Sequence, residues 1–473
     1  VHLIPILRRA RKNGCFCVLI DPVATATSRL VDWHISLAPG SDLLLAIGMA
    51  RILIDEGAYD RDFIKRHTVN FERFRQLISG YTLEDVSEKT GVNLSDLREL
   101  ARRYGNLKPG AILGGWGLQR RRTGAQVYRL LDAIAALSGN IGVAGGGVSH
   151  GVDEMRWFDL SVGLADRAQH RREIPKPRVW RGILECGDPP IRLLFVTGAN
   201  PVSQCPNASL AQKAMARVDF KVVVDMFMTD TASLADLVLP ATHFLQETDL
   251  VGSYWHNYIM PVNQAQPPIG EEKTDFEIFA LLARKLGLAR DFPDDPLTAL
   301  EMLIEPLKRE GYNLRDLREH PVRPRSAVDV PFRDRKFWTS SGRFEFITDI
   351  NMPPSKVCPE YPYHLLTPHP HDRTHSQTRG IPARAYPEAL VSNVIARTHG
   401  IESGSLVRVT TANGELTCTA RIDSSLRDDV VVIPEGSWEM SGGAVNRLTS
   451  DDLSDEGECA TYNDAACNVS RVV

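Results

Sequence analysis

Over the first 150 residues, short runs of β-branched and other apolar side chains alternate with stretches whose apolar positions recur every three to four residues. This is the pattern of parallel strands covered by helices on both faces. It predicts that Val1-His2-Leu3-Ile4-Pro5-Ile6-Leu7 enters directly into a helix ending in Arg8-Arg9-Ala10-Arg11-Lys12-Asn13-Gly14. A buried strand Cys17–Ile20 should follow, ending at Asp21-Pro22, with a helix from about Ala26. A second helix, Asp42–Glu56, is introduced by the turn Pro39-Gly40-Ser41, with Asp42 as its N-cap. Ala111–Leu113 reads as a strand running into Gly114-Gly115, and Gln126–Leu137 as a helix closed by the glycine-rich run Gly139–Gly147. From Arg192 a second α/β pattern begins. Its strands are Leu193–Val196, Lys221–Asp225 and Asp236–Pro240, and its helices are Leu210–Ala216 and Asp275–Leu286. The proline- and charge-rich stretch from Asp291 to Arg335 reads as a surface connection or an insertion.

The pattern changes again near Tyr361. Leu406–Thr410 and Leu416–Ala420 flank Ala412-Asn413-Gly414, and Asn-Gly between two apolar runs is a strong hairpin signal. With Val430–Ile433 as a further strand, this end reads as a β-barrel-like domain. The expected fold class is therefore α/β: two Rossmann-like α/β domains with parallel or mixed sheets, plus a carboxy-terminal β-barrel. The expected domains are residues 1–150, 151–355 and 356–473.

Length agrees, since 473 residues exceed one ordinary core and suggest two to four domains. A net charge of −4 gives no basic footprint for nucleic acid. The apolar stretch Leu43–Leu53 is too short for a membrane helix and contains Arg51, so no direct membrane insertion is expected. The chain starts at Val1-His2 with neither an initiator Met nor a signal-peptide pattern, and it reads as beginning mid-domain. The eight cysteines include no C-x-x-C pair, so no local zinc ribbon or iron–sulfur motif is encoded. Cys15 and Cys17 are expected to be buried structural thiols on one face of a strand.

Candidate chemistry lies in separated pieces. They are Asp21-Pro22 with Thr25 and Thr27; Pro39-Gly40-Ser41-Asp42; Gly115-Trp116-Gly117 with Gly124; and Gly139-Asn140-Ile141-Gly142. Further on come Gly198-Ala199-Asn200-Pro201; Asp225 with Thr229–Ala232; Ala235–Ala241; and Gly270–Asp275. Last are Leu365–Pro368 with His375-Ser376, and the terminal segment with Gly404 and Gly436. A carboxylate such as Asp42 or Asp275 can accept the N1–H and amino donors of a guanine. Each is also a natural helix N-cap, and Asp42 alone does not separate the two roles. Thr25, the 114–117 glycines and the turn Gly198–Asn200 suit a pyrophosphate, which needs backbone N–H groups at close approach, although any strand-to-helix turn favours such residues. His369, His371 and His375 have a spacing that would allow zinc on a suitable loop. Of Arg120, Arg121 and Arg122, two are expected in solvent and one, Arg120, against a phosphate.

In their order along nearly the whole chain, these pieces resemble the large catalytic subunits of molybdenum or tungsten oxidoreductases of the dimethyl sulfoxide reductase family. The resemblance implies a bis(molybdopterin guanine dinucleotide) cofactor. Its contacts would come from Asp21, Thr25, Gly40, Ser41, Asp42, Trp116, Gly117, Arg120, Asn200, Asp225 and Asp275. The closing domain, implied to be a double-psi barrel, would add Thr367, Pro368, His369, His375, Ser376, Asn446, Tyr462 and Asn463. On this reading the histidine-rich segment runs along the pterin, and no protein ligand to the metal lies within this chain. That ligand and a 4Fe-4S cluster are expected upstream of residue 1, and the chain alone is expected to be inactive.

The resemblance further implies a two-electron oxygen-atom or hydrogen transfer on a small-molecule substrate. It implies an iron–sulfur electron-transfer subunit and a membrane anchor subunit as partners, on the cytoplasmic or periplasmic face of a prokaryotic membrane. One departure stands out. Where many relatives place a Lys after the Leu-Pro-Ala strand, this chain has Gln246-Glu247-Thr248-Asp249, which puts an electron path through that position in doubt. The alternatives are a hydratase-like or NADH-dehydrogenase-like relative of the same fold, or an unrelated nucleotide-binding module. Asp42, Asn200 and Asp275 speak against a relative without pterin, and the absence of a G-x-G-x-x-G or P-loop motif speaks against the module.

Overall fold

A computed structural model describes residues 3–163, 171–288, 290, 292–377 and 385–472. Val1, His2 and Asp291, which the sequence reading included, lie outside the described residues. In the first unit, α1 (Leu3–Lys12) leads to β1 (Val18–Ile20), which pairs in parallel with β2 (Trp33–Ile35). The helix expected after Asp21-Pro22 is only a short 3-10 turn, Ala26–Leu30.

Next comes α2 (Asp42–Asp55), which is apolar on nearly every face and is accordingly buried along nine of its residues. Its N-cap is Ser41 and Asp42 is the first helical residue, so the capping role expected of Asp42 is corrected. Around α2 lie α3 (Arg61–His67), β3 (Thr68–Val69), α4 (Phe71–Ser79), α5 (Leu83–Thr90) and α6 (Leu94–Asn106). β4 (Ala111–Leu113) pairs in parallel with β5 (Gly147–Ser149) across α7 (Gly124–Leu137). Phe74, Leu97, Leu130 and Ile134 close the core between these helices.

The second unit opens with α8 (Val179–Glu185), β6 (Leu193–Thr197), α9 (Pro201–Gln204), α10 (Ala211–Arg217), β7 (Phe220–Asp225) and β8 (Leu237–Pro240). The strands form a parallel sheet in the order β6-β7-β8. The antiparallel pair β9 (Asp249–Val251) and β10 (Met260–Val262) and helix α11 (Asp275–Lys285) follow. Thr274 and Glu277 form a capping box at the start of α11.

Of the two alternatives for the stretch after Asp291, the structure favours an insertion, while the assignment of the segment beyond it fails. The stretch holds α12 (Pro296–Leu303), α13 (Glu305–Arg309) and α14 (Leu314–Glu319). Their Leu300, Ile304, Leu307 and Leu317 make a separate small core with Trp157 and Ile259. Beyond it, β11 (Phe344–Glu345) pairs in parallel with β3, and Phe346 stacks on Phe74 with ring centroids 4.9 Å apart. This segment, assigned by sequence to the second domain, is therefore packed into the first core.

The carboxy-terminal domain consists of β12 (Tyr363–Leu366), β13 (Glu388–Val391), α15 (Asn393–Thr398), β14 (Leu406–Thr411), β15 (Gly414–Ile422), β16 (Val430–Val432) and β17 (Ala465–Arg471). Its strands close a barrel in the order β12-β16-β13-β15-β14-β17. The pairs β12–β16 and β13–β15 are parallel and the rest antiparallel. Inward-facing Leu365, Val391, Val407, Val409 and Val431 fill it, with Cys418 and Cys467 as buried thiols. Cys15 and Cys17 are different: Cys15 is exposed, Cys17 is half-buried, and both precede β1 because that strand starts only at Val18.

Candidate functional site

A cavity of about 1210 Å³ extends from the edges of β1 and β4 to the barrel. One end is apolar, walled by strand residues and by Leu45, Ala46 and Met49 of α2. The other end is polar, because both strands finish there in turns: Asp21-Pro22 after β1 and Gly114–Gly117 after β4. Nine of the expected cofactor contacts line this one cavity: Asp21, Thr25, Asp42, Trp116, Gly117, Arg120, Pro368, His369 and Asn463.

The glycine turn is held by what surrounds it. A β-carbon on Gly114 would lie 2.5 Å from the Tyr128 ring, so the turn sits against that ring only because Gly114 has no side chain. The Tyr128 hydroxyl lies 3.1 Å from the Gly115 carbonyl and 2.6 Å from His150 Nδ1, and His150 Nε2 lies 3.0 Å from Gln119 Oε1. Trp116 packs against His150 and meets Tyr254 edge-on at 5.3 Å. Across the mouth, Asn463 Nδ2 donates to the Gly117 carbonyl, and the Asn463 N–H donates to the Arg120 carbonyl.

The three arginines are all paired with the barrel domain. Arg120 bridges to Glu435 at 3.1 Å, while Arg121 and Arg122 reach the two oxygens of Asp464 at 3.2 and 3.1 Å. The expectation that two of the three stand free in solvent is corrected, since the run is the seam between first unit and barrel. Arg121, which the sequence did not single out as a contact, is buried over the Gly40 turn, beside Asp42. The repeated arginines were the available signal, but their acidic partners lie more than 300 positions away.

Burial pushes the Asp42 carboxyl above its ordinary range, and the nearby Arg121 charge opposes the shift. Asp21 is likewise raised by burial, with the Val23 N–H opposing. Among the described residues no other side chain hydrogen-bonds the Asp42 carboxylate. Gly40 and Ser41 shape the turn that delivers it: Gly40 has φ +86°, and the Ser41 hydroxyl donates to the Ala38 carbonyl at 2.7 Å.

The remaining candidates gather elsewhere. Asn200 is buried, with its side-chain oxygen accepting from the Thr231 hydroxyl at 2.7 Å and its amide donating to Ser203. Asn446 donates to the Ser203 and Gln204 carbonyls, and the Tyr462 hydroxyl donates to the Gln204 carbonyl at 2.7 Å. Gln204 in turn donates to Ser376. These residues bind the barrel to the turn after β6, and the Asn200, Asn446 and Tyr462 side chains are spent on that join. Asp225 ends β7, its carboxyl raised by burial against the Phe227 N–H. Asp275 is exposed at the start of α11 and accepts from the Thr197 hydroxyl at 2.6 Å. Asp42 and Asp275 thus serve different units.

Of the three histidines, His369 and His375 approach one another, and Glu435 completes a set whose ligand atoms all lie within 4.8 Å. His371 is not part of it. Glu435 is already held by Arg120 and by His375 Nδ1 at 2.8 Å. Gly436 makes this close packing feasible, because a side chain there would collide with the His375 carbonyl. The Thr367 hydroxyl, at the foot of the same segment, is buried without a partner among the described residues.

Residues 3–285 match the family model described as molybdopterin oxidoreductase, and residues 363–466 match a molybdopterin dinucleotide binding domain. A probable oxidoreductase of Bacillus subtilis (strain 168) is 31% identical over 493 residues, covering 100% of this chain and 74% of that protein. A second one from the same organism is 32% identical over 513 residues, covering 100% and 73%. Among solved structures, acetylene hydratase from Pelobacter acetylenicus matches with a TM-score of 0.83 and 20% identity, over 98% of this chain and 75% of that one. At that identity the likeness concerns the fold.

Proposed function

Since the chain belongs to the molybdopterin oxidoreductase family, we propose that it is the cofactor-holding body of a two-electron oxidoreductase acting on a small molecule. A bound molybdenum pterin cofactor supplies the electron-pair chemistry; the residues of this chain bind, orient and desolvate it. One observation carries the reading: a desolvated carboxylate, Asp42, stands in a cavity wall beside a buried guanidinium, next to a turn where only glycine fits.

The donor set suits a purine dinucleotide. Asp42 would accept from the base edge, and a charge-assisted pair of this kind would relieve the cost of burying the carboxylate. Gly115, Trp116, Gly117 and the exposed Thr25 line the same space, where a pyrophosphate would find close-approach donors, while the Gly114 N–H is donated to the Ser149 carbonyl. Arg120 places positive charge at the mouth while tied to Glu435. On the barrel side, Pro368, His369 and Asn463 line the same cavity and would flank the ligand. A second guanine would be held by Asp275, where α11 begins and the Thr197 hydroxyl donates to the carboxylate, and this second acceptor supports the bis(guanine dinucleotide) form.

About a quarter of the length of the Bacillus subtilis relatives lies outside the part that matches this chain. We place the protein ligand to the metal, and a 4Fe-4S cluster, in polypeptide of that kind, so these 473 residues alone bind cofactor without turnover. Reduced-viologen assays with sulfoxides, nitrate, thiosulfate and arsenate test this. The purified chain should be inactive with all of them, and activity with one should appear when polypeptide homologous to the unmatched quarter of these relatives is supplied. Turnover by the chain alone would show the active centre to be misplaced.

A further inference from the structure

Beside the cavity mouth, two histidines and a glutamate converge from two separate segments, and each is oriented by a neighbour. His369 Nδ1 lies 2.5 Å from the Pro370 carbonyl, so that nitrogen carries the ring hydrogen and Nε2 keeps its lone pair. Nε2 faces the His375 backbone N–H at 3.3 Å. His375 Nδ1 lies 2.8 Å from Glu435 Oε1, while Arg120 holds Glu435 Oε2 at 3.1 Å. One carboxylate oxygen is therefore fixed by a guanidinium and the other is turned to the histidines. The spacing along the sequence pointed to His371 as a third ligand, and the structure puts Glu435 in its place.

The backbone is shaped for this meeting. His375 has φ +45°, a left-handed conformation that costs a residue with a side chain and persists only where its surroundings fix it. Next to Glu435, Gly436 has φ +94°, and a β-carbon there would collide with the His375 carbonyl. The two segments can approach this closely only because that position is glycine.

The donor set selects the ion. Two imidazole nitrogens and one carboxylate oxygen suit a divalent transition ion of the zinc class, whereas magnesium and calcium take oxygen ligands. With bonds of about 2.1 Å in a tetrahedral array, ligand atoms stand about 3.3 Å apart. The three ligand atoms here all lie within 4.8 Å of one another, and both histidines are exposed, so their rings have room to turn the remaining distance.

We propose that His369 Nε2, His375 Nδ1 and Glu435 Oε1 form a binding site for one divalent ion of the zinc class at the cavity mouth. On binding, neutral His375 carries its proton on Nε2, and the ion takes the place of the hydrogen between His375 and Glu435. The fourth position opens on the cavity that His369 lines, where it takes water or an anionic oxygen. The Pro370 carbonyl and Arg120 are the outer partners that aim two of the three ligands. This inference does not rest on the cofactor reading, because the ligand atoms converge whatever fills the cavity.

Zinc titration of the 473-residue chain, purified from a host that makes no pterin cofactor, tests it by competition with a chromophoric indicator. The accessible thiols, Cys15 and Cys358 among them, are alkylated first so that they offer no ligands. One zinc per chain should bind in the presence of a large excess of magnesium. Loss of even an outer partner costs about 10–100-fold in metal affinity, so His369→Ala and His375→Asn should each weaken binding by at least about a hundredfold. Asn tolerates the left-handed backbone at position 375, so an unchanged thermal midpoint should show that the loop is kept. His371→Ala, on the same segment but outside the set, should leave binding unchanged. Cobalt in place of zinc should give the visible spectrum of a nitrogen- and oxygen-ligated ion in the wild type and not in His375→Asn. No zinc bound above background, or equal affinity in the wild type and both ligand variants, overturns the proposal. So does an equal loss in His371→Ala, which would put the ion elsewhere on the segment.

Discussion

Asp42 shows what a single position in a sequence can and cannot disclose. A Pro-Gly turn before an apolar helix announces both an N-cap and a possible guanine acceptor. The structure removes the first role, since Ser41 holds the N-cap position and Asp42, already helical, lines the cavity. We predict that Asp42→Asn weakens dinucleotide retention by about 1.5–3 kcal/mol, seen as nucleotide lost on dilution. The same change should leave the thermal midpoint of the cofactor-free chain equal or higher, because it removes a desolvated charge. A fall in that midpoint would identify Asp42 as a structural group.

Asp132 on α7 gives the pH counterpart: burial pushes its carboxyl up to about 6, against the pull of Arg129. The folded chain therefore holds a proton there between roughly pH 4 and 6 that the unfolded chain has released. This contribution favours folding below that window and is lost as pH rises through it. Asp132→Asn should stabilise the chain at pH 7 by on the order of 2–3 kcal/mol and make no difference below about pH 4. Thermal melts at both pH values check this. The Asp132 environment was invisible in sequence, since a lone acid in an amphipathic helix reads as solvent-facing.

At the scale of elements, legibility followed the strength of the local signal. Helices α2, α7 and α11 were placed to within about two residues by their periodicity and turns, and the β14–β15 hairpin by Asn413-Gly414. The two-residue pairing of β11 with β3 had no such signal, because its partners are some 275 positions apart and each is too short to show a period. The helices α12–α14 were hidden by their prolines, which stand in the first turns of α12 and α13 and were taken as loop markers. The Gly114 turn was legible as a motif, but its reason was not, because Tyr128 presses on it from α7. Gly114→Ala should destabilise the chain by about 1–3 kcal/mol through that overlap. In a Tyr128→Ala background the same change should cost little, and denaturant melts of the four variants would show the coupling. Equal costs in both backgrounds would place the strain elsewhere.

Across the whole molecule, the cavity lies where the first unit meets the barrel, and the second unit is tied to the barrel by separate bonds. Arg120, Arg121 and Arg122 join the first unit to the barrel through Glu435 and Asp464, and Asn446 and Tyr462 join the barrel to the second unit through Ser203 and Gln204. Breaking one partner of a buried ion pair is costly, at about 3–5 kcal/mol. Asp464→Ala should therefore loosen the barrel and expose the mouth to protease, while Arg121→Met with Asp464→Leu should restore much of the loss; limited proteolysis of the two proteins reads the difference.

The family order of the motifs made the overall architecture and the cavity residues of the first unit readable. The seam stayed hidden because ion pairs between distant segments leave no local pattern. The central claim, one dinucleotide at the cavity mouth and another at Asp275, is tested most directly by composition. The chain should be purified from a host that makes the cofactor, and the pterin and guanine released on acid denaturation measured for the wild type, Asp42→Asn, Asp275→Asn and the double variant. The account predicts pterin and guanine in the wild type, less guanine in each single variant, and none above background in the double. Unchanged guanine in both single variants, or a wild type without pterin from a host that loads a co-expressed relative, would contradict it.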